Sequence, residues 1–164
     1  MAIPITTVEK LIDKFKSRGL SFNYDEIFLT RLLQFSTETL LENLNQTYQQ
    51  YQLDDKLFAI LLVIYWHQPD GVKPSQVSQL TNFSRVQVSR SVETLVANGL
   101  IERQDDANDR RSHCLVLTNK GTNFFKKELP PIEQKVVAAW QIISQEERQQ
   151  LRSILTKLLK HLTE

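Results

Sequence analysis

Residues 74–118, PSQVSQLTNFSRVQVSRSVETLVANGLIERQDDANDRRSHCLVLT, decide the fold. Pro74 suits the first turn of a helix, where its missing N–H is not needed. Val77 and Leu80 are expected to face inward from that helix. Thr81-Asn82-Phe83 is short enough to lead straight into a second helix. Ser84 and Gln87 have the spacing of a capping box, in which two side chains satisfy backbone N–H groups at a helix start. Asn98-Gly99 closes the second helix, with Gly99 suited to the left-handed C-terminal cap. Leu100 to Arg103 then reads as a short strand, and Cys114 to Leu117 as its antiparallel partner. Between them Asp105, Asp106, Asn108, Asp109, Arg110 and Arg111 are expected to form a polar loop, too long for a tight hairpin. A short helix, a turn, a longer helix and two strands are the parts of a winged helix-turn-helix, a module that reads DNA.

The second helix carries the chemistry for that task. On a helical wheel Val88, Val92, Leu95 and Val96 share the side that must be buried. Arg90 then lies on the opposite face, flanked by Val86, Gln87 and Thr94, with Arg85 on the exposed first turn. Arg85 or Arg90 can donate two hydrogen bonds to guanine, Gln87 can pair with adenine, and Val86 can touch a thymine methyl. Ser84, Ser89 and Ser91 are small donors that allow close approach to phosphates, as does the helix N-terminus. From Asn82 to Val92 there are two arginines and no acid. A solvated face with two arginines remains the alternative. An arginine in the loop, Arg110 or Arg111, could enter a narrow minor groove, where the potential is most negative. The competing reading is an Asp109–Arg111 turn salt bridge that never meets DNA. Three aspartates beside a phosphate backbone are unfavourable, so at least one is expected to pair with an arginine and orient it.

The flanks read as helices. Thr6 and Glu9 suggest a capping box, and Val8, Leu11, Ile12 and Phe15 follow at amphipathic spacing until Gly19. A long helix is expected from Asn23 or Asp25 to about Gln50, which for a chain of this size points to a partner beyond its own core. Asp54 or Asp55 can cap the next helix, LFAILLVIYW, apolar nearly all round and therefore central. QPDG breaks it. Further on, Lys120 to Leu129 forms a helical segment that Pro130-Pro131 is expected to end or kink, because neither proline donates a hydrogen bond. Ile132 to Ile143 resumes it. Ser144 and Glu147 form another capping box, opening a final helix with Leu151, Ile154, Leu155, Leu158, Leu159 and Leu162 on one stripe. That stripe fits either packing within the monomer or a helical dimer interface.

Composition sets the limits. A chain of 164 residues with 41% hydrophobic and 24% charged residues is ordinary for a soluble globular protein. The formal charge of +1 means that any positive footprint is local. Four glycines leave little room for a phosphate loop or an all-β fold. The single cysteine, Cys114, excludes an internal disulfide and a multi-cysteine metal site. The N-terminus lacks a signal-peptide core, and Leu57 to Trp66 is about half a membrane span. A cytoplasmic protein without cofactor, metal site or membrane association is expected. There is no nucleophile elbow, His-Glu-x-x-His or phosphate loop, so no enzyme class is supported. A helical interaction module that kept the winged fold but lost DNA binding is the other alternative; the presence of Arg85, Arg90, Arg110 and Arg111 favours DNA.

Together these residues resemble a known family. Ser-Arg-x-x-x-x-Leu-x-x-x-Gly-Leu-Ile-x-Arg (Ser89 to Arg103), Asp109-Arg110-Arg111 and Leu117-Thr118-x-x-Gly121 look like the MarR family of winged-helix regulators. Phe22-x-Tyr24-x-Glu26-Ile27-x-Leu29-Thr30-Arg31-Leu32, Leu41-Glu42-Asn43 and Leu129-Pro130-Pro131 resemble its EmrR/MprA branch, repressors of multidrug efflux operons. The likeness spans about residues 6 to 163. It implies a mainly α fold with a small β wing, flanked by N- and C-terminal dimerisation helices. The regions would be 1–52 for the N-terminal helices, 53–120 for the winged helix-turn-helix and 121–164 for the C-terminal helices. It also implies a homodimer on a pseudo-palindromic double-stranded operator, released by a small aromatic or phenolic effector. Ser84, Arg85, Val86, Gln87, Ser89, Arg90, Thr94, Asp109, Arg110 and Arg111 are the expected DNA contacts. Tyr24, Arg31, Phe35, Tyr65, Trp66 and His67 are aromatic or cationic groups near the expected effector seam, where Arg31 could pair with a carboxylate; each also fits an ordinary core or surface role. Some family members sense oxidants through a cysteine in the long N-terminal helix, and this sequence has none there. Cys114 reads as a packing residue, and His67, His113 and His161 are scattered.

Overall fold

A computed structural model describes residues 5–17, 23–106 and 109–164, and at the end of the wing the backbone but not the side chains of 106 and 109–112. The chain forms two compact units, Met1–Asp55 and Lys56–Glu164.

The first unit holds α1 (Ile5–Lys16) and α2 (Tyr24–Gln49). Since α1 already includes Ile5, Thr6 lies inside the helix and is not its N-cap, contrary to the Thr-x-x-Glu reading. Gly19 is outside the described residues. The 26 residues of α2 span about 39 Å at 1.5 Å per residue. Its end is locked by the Leu53 N–H donating to the Tyr48 carbonyl and the Gln52 N–H to that of Gln49, at 3.1 and 3.0 Å. Gln52 takes the left-handed conformation that this pattern demands, with φ +58°. The Asn45 side-chain carbonyl then accepts the Asp55 N–H at 2.6 Å.

The second unit is built around α3 (Asp55–Trp66), whose Phe58, Ile60, Leu61, Val63 and Ile64 are buried. An apolar helix with no polar face can satisfy its surface only from inside a core. Phe125 of α6 (Asn119–Trp140) closes one side, its ring stacked on Tyr65 at 4.3 Å and tilted against Phe58 at 6.4 Å. The break after α3 needs Gly71: φ is +75°, and a Cβ there would come within 2.8 Å of the Val116 side chain. Next, α4 (Pro74–Thr81) and α5 (Arg85–Ala97) pack on each other and on the hairpin β1 (Ile101–Asp106) and β2 (Asp109–Leu117). Val72 extends the hairpin through an isolated antiparallel bridge to Leu115. Val77, Val88, Val92, Leu95, Ile101 and Leu115 meet in this part of the core, each no more than 2% exposed.

Several expectations are corrected. Leu80 is 59% exposed, not inward; it sits about 60° round α4 from the buried Val77. Val96 is 37% exposed, because it lies about 80° from Val88 and falls on the rim of the buried face. The polar stretch of the wing is not a long loop. The ladder runs regularly from Ile101↔Leu117 to Asp105↔His113, and Asp106 then pairs with Asp109 across an irregularity that places residues 110–112 off the regular register. Backbone pairing does not require apolar side chains on an exposed hairpin, and a bulge absorbs surplus residues. Finally, α6 runs unbroken through Pro130 and Pro131 to Trp140 instead of ending at the prolines or reaching Ile143. The carbonyls that lose their donors belong to Lys126 and Lys127, both exposed, so water can serve them.

The last helix, α7 (Gln145–Thr163), starts at the expected capping box: Glu147 N–H donates to Ser144 Oγ at 3.2 Å, and Ser144 N–H to Glu147 Oε2 at 2.6 Å. None of its residues is buried, and Ile154, Leu158, Leu159 and Leu162 are exposed. Packing among the described residues leaves these four side chains uncovered, with Leu151 and Leu155 half-buried. Among the described residues, no helix is long and apolar enough to cross a membrane.

Candidate nucleic-acid interface

The helix-turn-helix corner is held by side chains that the sequence places two to five residues apart. Asn82 adopts the left-handed conformation, φ +56° and ψ +24°, which asparagine tolerates better than most residues. Thr81 Oγ1 donates to the Val77 carbonyl at 2.7 Å, and Ser78 Oγ to the Phe83 carbonyl at 2.5 Å. Ser84 is the N-cap of α5: the Gln87 N–H donates to its hydroxyl at 3.3 Å, and the Ser84 N–H donates to Gln87 Oε1 at 2.9 Å. That second bond bears on base reading. One lone pair of the Gln87 carbonyl is already engaged, leaving the other lone pair and the amide N–H groups to face a base.

Burial of Val88, Val92 and Leu95 fixes the outward face of α5. Ser84, Arg85, Val86, Gln87, Ser89, Arg90 and Thr94 are all exposed there, so the structure brings together the helix part of the expected contact set. The Thr94 hydroxyl donates back to the Arg90 carbonyl at 3.1 Å and keeps its lone pairs outward. Neither Arg85 nor Arg90 has a side-chain hydrogen bond or ion pair among the described residues. Their charge is thus held in solvent, available to an incoming anion. Val86 is 61% exposed, an apolar group with no packing duty.

The wing contributes less that can be fixed in place. Asp109, Arg110 and Arg111 lie on β2, and their side chains are outside the described residues. Asp105 pairs with His113 Nδ1 at 3.1 Å, directly across the ladder. The partner of this aspartate is a histidine; the side chains of Asp106 and Asp109, the other two for which an arginine partner was expected, lie outside the described residues.

A groove runs between Pro74 and Ser75 at the start of α4, Arg85 and Ser89 on α5, and Arg103 on β1, floored by Val88 and Val92. Two arginines and the first turn of α4 therefore border one small recess. Arg103 was missing from the expected contacts although it closes the Gly-Leu-Ile-x-Arg motif; only the hairpin geometry shows that this strand position faces α5.

The six effector candidates divide between the units. On α2, Arg31 donates to Gln34 Oε1 at 2.9 Å, and Gln34 passes the chain to Glu38 at 2.9 Å; Tyr24 and Phe35 are half-buried. On α3, Tyr65 is occupied in stacking on Phe125, Trp66 is 69% exposed, and His67 Nδ1 lies 2.8 Å from the Val63 carbonyl. A carbonyl only accepts, so that ring nitrogen carries the proton. Among the described residues no group of three or more His, Cys, Asp or Glu is arranged to hold a metal ion.

A helix-turn-helix carried on an apolar core and extended by a two-stranded wing defines a winged-helix transcriptional regulator. The chain belongs to the MarR family: the family's model matches residues 51–112, and the transcriptional repressor MprA of Escherichia coli is 34% identical over 96% of this chain and 89% of its own length. Among solved structures, the Staphylococcus aureus MepR–DNA complex superposes with a TM-score of 0.75 at 23% identity, covering 87% of this chain and 99% of that one. Sco3205 of Streptomyces coelicolor, also in complex with DNA, gives 0.80 at 18% identity over 88% and 92%. At these identities the structures establish the fold.

Proposed function

We propose that this protein is a repressor that binds a pseudo-palindromic double-stranded operator as a homodimer and lets go when a small aromatic or phenolic molecule binds. The observation that carries the reading is the outward face of α5, where Arg85 and Arg90 stand exposed, without a partner among the described residues, beside Ser84, Gln87 and Thr94. In this docking α5 enters the major groove, with Arg90 and Gln87 reading bases and Val86 against a thymine methyl. Arg85 and Arg103 hold a backbone phosphate at the mouth of the α4–α5 groove, helped by the α4 N-terminus. Arg110 or Arg111 of the wing reaches the flanking minor groove.

The dimer is supported by the exposed apolar stripe of α7, and by Val137 and Trp140 on α6. Repression, the first element of control of an efflux or stress operon, is supported by the MprA relative, a transcriptional repressor. It is supported too by MepR, which regulates the multidrug efflux pump MepA in Staphylococcus aureus. The effector reading rests on Tyr24, Arg31, Phe35, Tyr65, Trp66 and His67; release requires the ligand to favour a lobe arrangement that misfits DNA.

The test is a fluorescence-anisotropy titration at fixed salt against duplexes from the upstream region of the gene, with a random duplex as control. Selective binding that weakens with salicylate or with efflux-pump substrates is expected. Arg90→Ala removes one bidentate base contact per protomer and should lose about a hundredfold or more in operator affinity, with an unchanged sedimentation coefficient. Wild-type affinity in Arg90→Ala would refute the docking, and equal weak binding to both duplexes would refute the regulator reading at that site.

A further inference from the structure

The end of α5 and the start of α6 are joined by one cluster of bonds. Gly99, φ +68°, lets the chain turn so that the Gly99 N–H donates to the Val96 carbonyl at 2.8 Å and the Leu100 N–H to that of Leu95 at 3.0 Å. This pairing already caps α5. The next carbonyls along are taken by the other helix. Lys120 Nζ donates to the Asn98 carbonyl at 2.7 Å, Thr118 Oγ1 donates to the Gly99 carbonyl at 2.7 Å, and the Thr118 N–H donates to the Leu100 carbonyl at 3.1 Å. The same Thr118 hydroxyl accepts the Gly121 N–H at 3.0 Å, which makes it the N-cap of α6. Gly121 closes the joint, since a Cβ there would collide with the Leu100 carbonyl oxygen. One hydroxyl thus caps one helix and staples the other, and an ammonium sits on the negative end of the α5 dipole.

We infer that Thr118, Lys120 and Gly121 form a clasp that sets the pitch of α5 against α6, so that a displacement of α6 reaches the DNA-reading face as a rigid rotation. Lys120 and Thr118 are positioning residues: they lie at the opposite end of α5 from Arg85 and act through the helix. This rests on the DNA-reading role of α5, but the clasp itself can be observed without DNA.

The experiment measures residual dipolar couplings of α5 and α6 amides, together with operator affinity across a salt series, for wild type, Lys120→Met, Lys120→Arg, Thr118→Val and Thr118→Ser. In wild type both helices should fit one alignment tensor. In Lys120→Met and Thr118→Val the α5 couplings should shrink relative to those of α6. Operator affinity should fall about fivefold to tenfold, the loss of roughly one such hydrogen bond, with the salt slope unchanged. Lys120→Arg and Thr118→Ser should restore both readings. Lys120 is exposed, so its substitution reports even where Thr118→Val fails to fold. Unchanged couplings in Lys120→Met would overturn the clasp. So would a salt slope shallower by about one per protomer, which would make Lys120 a phosphate contact. Should wild type bind no duplex selectively, the regulator reading falls while the couplings still decide the clasp.

Discussion

Single residues carry more than one duty in this molecule, and that limits what each can be asked to do. Gln87 holds the Ser84 N–H with the same amide that the proposed docking presents to a base, so in that docking the amide is oriented before DNA arrives. Tyr48 shows a different constraint. Its hydroxyl is pushed above the ordinary tyrosine range, first by burial and then by the nearby Asp55 carboxylate. Both disfavour the phenolate. Above about pH 10, where a tyrosine in the unfolded chain ionises, the native side chain keeps its proton. The unfolded state then binds fewer protons, and stability falls as pH rises. Chemical denaturation at pH 8 to 11 should show this extra alkaline loss in wild type and not in Tyr48→Phe. Parallel curves for the two would remove Tyr48 as its source.

Local spacing made some elements readable in the sequence, and their surroundings hid others. Both capping boxes, Ser84–Gln87 and Ser144–Glu147, are contained within four residues, so the sequence shows them whole. The Thr6–Glu9 pair has the same spacing and fails, because the backbone is already helical at Ile5. Leu80 and Val96 lie off the centre of their helices' buried faces, where burial depends also on which neighbours cover the rim. The wing was misread as a loop because its polar residues pair through their backbones. The two prolines do not end their helix, because the cost of an unserved carbonyl is small where water reaches it. At this scale Ser84→Ala should cost about 1 kcal/mol of stability, read as a lower denaturation midpoint with an unchanged slope. An unchanged midpoint would mean that the box contributes nothing.

For the whole molecule the sequence left the α7 stripe divided between core and interface, and the exposure of Ile154, Leu158, Leu159 and Leu162 favours the interface. Leu159 is 64% exposed and Leu162 71%, too much apolar surface on one terminal helix to leave uncovered. In the proposed dimer, Leu159→Glu should shift sedimentation towards the monomer and weaken operator binding, with far-ultraviolet circular dichroism retained. A dimer that survives the substitution would place the interface elsewhere. The effector residues were the least legible, since aromatic side chains serve a core or a ligand equally well; Tyr65 proves to be committed to Phe125.

The bridge between Val72 and Leu115 gives the wing the mechanics of a cantilever. Leu115 N–H donates to the Val72 carbonyl at 2.9 Å and the Val72 N–H returns the bond at 3.1 Å, with Gly71 pressed beneath Val116. The beam is thereby clamped at its root by the body of the lobe, while further out Gln104 and Asp105 are held by ladder pairing to Cys114 and His113. A load applied near Asp109 would be resisted as bending along β1 and β2 and absorbed at that root. In the proposed complex, variation in minor-groove width would then be accommodated without tilting the helix that reads the major groove.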